Sequence, residues 1–375
     1  MEMTTTATPS LGDTLDRLAR MEPVALPLVS LYLNAQPDSR GKDNYGAFVR
    51  KELRGRIDRF ERRSPDRESF EKDVEAIERW LSEEVRPSSN GIVIFACSGA
   101  NFFEALQLDA PIESHRLTIG DRPHLSPLAR IVDRHPRHAV VLADTNHARI
   151  YVFGRGRTID REELASEKVS HTDVGGWSQL RYQRHVEDHY LHHAKEVVES
   201  LARIVAEDRA RYVFLAGDEV IVPLLQEQLP KGLAQKVVGV LHLDMRTPEI
   251  EVMEAVAGAL RAHEAKEEAE RVERLRGEWR AGGLAVAGWK DVLGALSNGQ
   301  VDEVSISSAL AERNMEGATP LADEIVQRAL TTSATVRFVE NPDLLEDMGG
   351  VTAGLRYRAE AATRGNSRGE RRAGA

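Results

Sequence analysis

The sequence predicts a protein of mixed α/β and α+β class, built as three domains. Three observations carry this. Apolar, β-branched runs such as PLVSLYLNA (27–35), GIVIFACSG (91–99) and RYVFLAG (211–217) read as strands. Between them lie segments whose apolar residues recur at helical spacing. Gly-rich breaks, above all Gly282-Gly283, divide the alternation into blocks, and 375 residues suffice for two or three separate cores.

The elements follow in order. Ser10-Leu11-Gly12-Asp13 has the form of a capped helix start, leading into a short helix that ends near Met21. After the strand at 27–35, residues 44–85 place Phe48, Leu53, Ile57, Phe60, Val74, Ile77 and Leu81 at helical spacing, and Ser64-Pro65 splits the stretch into two helices. GIVIFACSG and NFFEALQL then form two strands around a tight turn, which closes an α+β domain over 1–130. In the second domain (137–275), AVVLADTNHARIYVFGRG reads as two strands around a turn at Asp144-Thr145-Asn146-His147. A polar loop comes next, then a long helix from Gln179 to Asp208, the strand RYVFLAG, a helix over 218–229 and the strand KVVGVLHLD. Strand–helix–strand alternation implies a central sheet covered by helices. Residues 261–280 are rich in both charge signs, but Val272, Leu275 and Trp279 keep an apolar stripe, so this is a solvated helix packed along one side. Gly282-Gly283 ends it and marks a hinge. The third domain, an α/β unit over 284–360, has helices at 289–297 and 321–331, the strands VDEVSIS and ATVRFV, and a terminal strand near Gly354-Leu355-Arg356-Tyr357. The tail 361–375, Gly-rich and basic, reads as disordered.

Composition narrows the function classes. Fifty Lys and Arg against 60 Asp and Glu give a formal net charge of −10, which argues against coating nucleic acid by charge alone and leaves only local basic patches. Cys97 is the single cysteine, so no intrachain disulfide and no Cys-based zinc site can form; inside its apolar run it reads as a buried small side chain. MEMTTTATPS lacks the features of a signal peptide, and no apolar stretch approaches about 18 residues, so the expectation is a cytoplasmic protein with no membrane partner. The phosphate-loop, dinucleotide and nucleophile-elbow signatures do not occur. Asp144 at a strand end reads as a turn-initiating carboxylate.

One loop carries a distinctive chemical signal: HTDVGGWSQLRYQRH (171–185). Gly175 and Gly176 let the backbone approach another molecule closely. Trp177, Ser178 and Gln179 follow, then Arg181, Arg184 and His185, with Lys195 further along the helix. If Ser178 caps that helix, free N–H groups and the positive end of the helix dipole stand beside two guanidinium groups, a combination suited to RNA phosphate. Two readings stand: a flexible loop before a helix, or a tip that enters a confined, negatively charged place. His185, His189, His192 and His193 lie at i, i+4, i+7 and i+8, near one helical face; without an HExxH pattern they read as imidazoles on a solvated, RNA-facing helix, and neither a metal nor a cofactor is expected.

The order of these parts resembles the archaeal and eukaryotic class I release factor and Pelota superfamily, and within it the bacterial release-factor-like branch. RPSSNGIVIFACSG is similar to the family's helix-to-strand passage in the first domain. VVLADTNHARIYVFGRGR and HTDVGGWSQLRYQRHVEDHYLHHAKEV resemble the strand pair, catalytic loop and basic helix of the second. DVLGALSNGQVDEVSIS and DMGGVTAGLRY resemble the two ends of the C-terminal domain. The resemblance implies a ribosome-associated protein whose Gly-Gly-Gln loop helps water attack the ester between peptide and tRNA. Gly175 and Gly176 match the glycines and Gln179 is the candidate glutamine; Trp177 and Ser178 stand between them, as in the GGxSQ-like variants of rescue relatives. Trp177, Ser178, Arg181, Arg184, His185 and Lys195 are then the candidate RNA contacts. The implied partners are the ribosome with its rRNA, peptidyl-tRNA and a translational GTPase. No NIKS segment occurs in the first domain, so stop-codon reading is not expected. The alternative is a non-catalytic hibernation or stalling factor bound in the A site.

Overall fold

The computed structural model describes residues 11–37, 45–154, 157–165, 177–312 and 320–358, and of 157–160, 177–185 and 312 the backbone alone. Three sheets follow one another along the chain. The chain divides into two compact units, Met1–Ala269 and Glu270–Ala375.

The first sheet has the order β3-β2-β1-β4 and is antiparallel throughout. Its strands are β1 (Leu28–Asn34), β2 (Gly91–Cys97), β3 (Phe102–Leu108) and β4 (Arg116–Gly120). Helices α2 (Tyr45–Ile57) and α3 (Pro65–Glu83) share a core with it, in which Val49, Leu53, Phe70, Val74 and Ile77 meet Val29, Leu31, Leu33, Ile92 and Ile94. Ser64 caps α3 by accepting from the Arg67 N–H at 3.1 Å, and Pro65 occupies the first helical position, where its missing N–H costs nothing. β2 is buried along its whole length, so it reads as a continuous apolar run rather than an alternating one. Cys97 is buried at its end; burial raises the pKa of its thiol. Helix α1 (Leu11–Ala19) starts within one residue of expectation, whereas Ser10 lies outside the described residues. Two further elements escaped the sequence reading, β4 and the short helix α4 (Ser126–Arg134). Both are brief, yet each shows its period: Leu117 and Ile119 alternate in β4, and Leu128, Ile131 and Val132 stand at helical spacing in α4.

The second sheet has the order β7-β6-β5-β8-β9. β5 (His138–Ala143), β8 (Tyr212–Gly217) and β9 (Val237–Leu241) run parallel; β6 (His147–Gly154) and β7 (Arg157–Ala165) add antiparallel strands on the other side. Side chains alternate across β5, and both faces are covered. Ala139, Val141 and Ala143 pack with α5 (Trp177–Glu207) and α6 (Ile221–Gln228), and the one-turn α7 (Lys231–Ala234) adds Leu233 to the same core. Val140 and Leu142 pack with Val252, Val256 and Leu260 from the first half of α8 (Glu249–Arg280). β7 occupies the start of what the sequence reading took as the polar loop. Its run RTIDREELA lacks apolar alternation because it is a charged edge strand: Glu162 meets Arg203 at 2.5 Å, and Glu163 meets Arg149 at 3.2 Å. The helix expected at 261–280 is longer than its charge pattern suggested, since it begins at Glu249.

The second compact unit carries the sheet β10-β13-β11-β12, made of β10 (Ala285–Ala287), β11 (Val301–Ser307), β12 (Thr335–Val339) and β13 (Val351–Leu355). α9 (Trp289–Ser297) precedes β11; β11 and β12 are parallel, with α10 (Ser308–Glu312) and α11 (Leu321–Thr331) between them in sequence. Val272 from α8 shares a core with Val339, Leu345 and Met348, with Trp279 packed against it, as the apolar stripe required. Gly282 takes φ +65°, a left-handed conformation that ends α8, and Gly282 and Gly283 N–H groups return to the carbonyls of Trp279 and Glu278. The expected tail at 361–375 lies outside the described residues.

One partly buried ionic cluster makes the fold pH-dependent. Arg211, beside β8, faces Asp133 of α4 at 3.6 Å and Glu267 of α8 at 3.8 Å, and the Tyr212 hydroxyl donates to Glu267 at 2.8 Å. Burial pushes the neighbouring Glu264 carboxyl up to about 7; Arg211 opposes the shift and Asp133 and Glu267 add to it. A carboxyl with a raised folded pKa stabilises the fold below its unfolded pKa and loses that contribution as pH rises through the folded value. Thermal unfolding of wild type and Glu264→Gln should therefore diverge with pH. The variant gains relative to wild type between about pH 5 and about pH 8, because its amide stays neutral.

Candidate functional site

Helix α5 is the element on which the candidate residues converge. It begins at Trp177, so Trp177, Ser178 and Gln179 are its first three residues and Arg181, Arg184 and His185 complete its first nine. Gly175 and Gly176 lie outside the described residues. Ser178 is thus the second helical residue and not the cap that the sequence reading made it; the helix starts two residues before the Gln179 expected. The first four N–H groups of a helix have no partner within it, and in α5 these belong to Trp177 through Leu180.

The rest of α5 divides by helical phase. Ala194, Val197, Val198, Leu201, Ile204 and Val205 are buried against the second sheet. Asp188, His192 and Lys195 are exposed on the opposite side. Arg181, Arg184 and His185 occupy backbone positions in the same phase as those exposed residues, at 100° per residue. The expected shared face of histidines does not hold. Adjacent helical residues point 100° apart, so His192 and His193 diverge. His192 is 74% exposed and faces Glu196 at 3.3 Å, whereas His193 is 1% exposed.

His193 meets the turn between β5 and β6, and that turn is built around Asp144. The Asp144 carboxylate accepts the N–H groups of Asn146 at 2.8 Å and His147 at 2.7 Å, while its own N–H donates to the His147 carbonyl at 2.9 Å. This is the turn-initiating role that its position suggested. The His147 ring stands 3.4 Å from the same carboxylate oxygen. Burial lowers the His193 pKa; a hydrogen bond to the His147 main chain and the charges of Glu196 and Asp144 oppose the shift, and His189 adds to it. His147 was not singled out in the sequence, since a histidine at a strand start has no pattern of its own. Only the pairing of β5 with β6, read together with the phase of α5, brings it to His193.

Among the described residues no group of three or more His, Cys, Asp or Glu is arranged to hold a metal ion, and no helix is long and apolar enough to cross a membrane. What the arrangement offers is a long helix whose C-terminal half is rooted in a sheet.

Comparisons with known proteins bear on this region first. The family model for Bacterial archaeo-eukaryotic release factor family 10 matches residues 123–264, the stretch from α4 through the first half of α8. The chain is 25% identical over 348 residues to Peptide chain release factor subunit 1 of Methanocaldococcus jannaschii, a match covering 84% of this chain and 77% of that protein. Among solved structures, the archaeal translation termination factor aRF1 is similar over 92% of this chain and 97% of its own, at 20% identity and a TM-score of 0.27. Archaeoglobus fulgidus Pelota is similar over 94% of both chains, at 14% identity and a TM-score of 0.35. Superpositions this loose carry no argument about the site.

The turn gives a direct test of how the site is held. Asp144→Ala removes the acceptor of two main-chain N–H groups and should cost about 1–2 kcal/mol in denaturant unfolding. Asp144→Asn, which keeps one acceptor oxygen, should lose less than half of that.

Proposed function

We propose that the chain, which is similar to an archaeal peptide chain release factor and matches a bacterial release-factor family model over 123–264, acts on the ribosome in translation termination or ribosome rescue, by hydrolysing the ester that joins peptide to tRNA. The observation that carries the finer part is the start of α5: Gln179 stands in the first turn of a 31-residue helix whose far half is buried in the second sheet. Gly175 and Gly176 precede it and give the backbone the freedom to thread a narrow, RNA-walled space. Arg181, Arg184, His185 and Lys195 meet rRNA or tRNA phosphate, Trp177 and Ser178 meet RNA nearer the tip, and charge neutralisation there is local because the whole chain is acidic.

Ester hydrolysis needs a water held in line with the carbonyl carbon and donors aimed at the developing oxyanion. A neutral glutamine is a poor base. Its contribution is positional: the side-chain amide orients the water, and main-chain N–H groups of the first turn, which have no acceptor within the helix, serve as oxyanion donors. The tRNA's terminal hydroxyl and the rRNA supply the proton path. The work takes place in the cytoplasm, where the ribosome is, and a translational GTPase is the natural delivery partner. The three sheets support a three-domain division near 1–130, 137–275 and 284–360.

Release of labelled peptide from stalled ribosome complexes tests the reading. Gln179→Ala should reduce the single-turnover release rate by about 100-fold with ribosome binding unchanged, the size of effect seen when one transition-state donor is lost. Equal release by wild type and variant removes Gln179 from the mechanism. Tight binding with no release by either leaves a non-catalytic A-site factor.

A further inference from the structure

Among the described side chains of α5, which begin at Val186, full burial starts at a histidine. From Val186 to His192 every residue is exposed or only half-buried, whereas His193 is 1% exposed and begins the buried run Ala194, Val197, Val198 and Leu201. An imidazole there is unexpected, since the positions that follow are aliphatic. Its ring meets the main chain of His147 at the β5–β6 turn, and that turn is itself fixed by the two N–H groups that Asp144 accepts.

We propose that His193 is a positioning residue: its hydrogen bond to the β5–β6 turn sets where α5 leaves the sheet and so aims the Gln179 end of the helix. The geometry makes this a lever. Gln179 lies 14 residues before His193, about 21 Å along the axis at 1.5 Å per residue. A small change of direction at His193 is therefore a displacement of several ångströms at the tip, and hydrolytic geometry tolerates about 1 Å. An aliphatic residue would fill the space but leave the direction of exit to packing alone. The inference rests on the hydrolase reading only for its effect on peptide release; the anchoring itself does not.

The anchor depends on pH. The ionisable groups that face His193 are Asp144 and His147 on the turn and His189 and Glu196 on its own helix. Helix α6, also packed on α5, has Glu227 as its one ionisable residue, in its last turn. Because burial favours the neutral ring, protonation opposes the packed state: anchoring holds above the ordinary histidine pKa and is lost as pH falls through the lowered folded value.

Hydrogen exchange on the full chain tests this, with rates corrected for the intrinsic effect of pH. In His193→Ala the amides of residues 186–192 should exchange about tenfold faster while 197–205 stay protected, the factor that one lost hydrogen bond of ordinary net strength gives. His193→Gln can donate to the same carbonyl without titrating. It should keep wild-type protection and abolish the loss that wild type shows below about pH 6.5. Unchanged exchange at 186–192 in His193→Ala overturns the proposal. If that variant loses protection throughout, His193→Gln decides: a flat pH response supports the anchor, and a wild-type pH response refutes it. In peptide release His193→Ala should lower kcat and His193→Gln restore it. Gln179→Ala should leave the exchange pattern untouched, so a failure of the hydrolase reading and a failure of this one are told apart.

Discussion

Half of one helix holds the candidate site together. The last turns of α5, from Ala194 to Val205, pack on the face of the second sheet that Val141 and Ile150 also line. Each buried Val, Leu or Ile there contributes about 1.5–3 kcal/mol, enough to hold a 31-residue helix by one end. The sheet can grip it firmly because β5 and β8 are covered on both faces, with α8 closing the other side. An isolated helix of this length frays from its free end. Everything chemical about the N-terminus of α5 therefore depends on how well the C-terminal half is rooted.

The polar groups that interrupt this apolar frame sit at junctions between elements. Asp144 and His147 tie the β5–β6 turn to α5, and Glu264, Glu267 and Arg211 tie α8 to α4 and β8. In the first sheet's neighbourhood Asp73 does the same for α3, accepting the Ser98 N–H at 2.7 Å and its hydroxyl at 2.6 Å; burial pushes its carboxyl up to about 6. Buried polar contacts of this kind fix direction, whereas aliphatic packing fixes proximity.

Much of this was legible in the sequence, for physical reasons that can be named. β1, β2, β5 and β8 are apolar runs because they lie in sheet interiors, and Ser64-Pro65 announces α3 because a hydroxyl cap and a missing N–H suit a helix start. The whole of β7 was invisible, since an edge strand stabilised by ion pairs has no apolar period. The first half of α8, EIEVMEAVAGAL, is its less charged half, and the inward residues Val252, Val256 and Leu260 recur there at helical spacing. For the site, Gln179, Arg181 and Arg184 fall on α5 as expected, and the position of Gly175 and Gly176 lies outside the described residues. The four histidines cannot share one face, because the neighbours His192 and His193 differ by 100° in helical phase. Which side of α5 is inward is decided by Ala194 and Val197, and that choice buries His193 while exposing His192.

The central claim is that α5 carries Gln179 to the ester of peptidyl-tRNA. The most direct measurement is a cryo-EM structure of the chain bound to a ribosome holding a non-hydrolysable peptidyl-tRNA. The account expects Gln179 within about 3–3.5 Å of a water in line with the carbonyl carbon, or donating to the carbonyl oxygen itself, with α5 straight from His193 to its N-terminus. A bound chain whose Gln179 lies far from the tRNA terminus, with that terminus enclosed by rRNA alone, would contradict it.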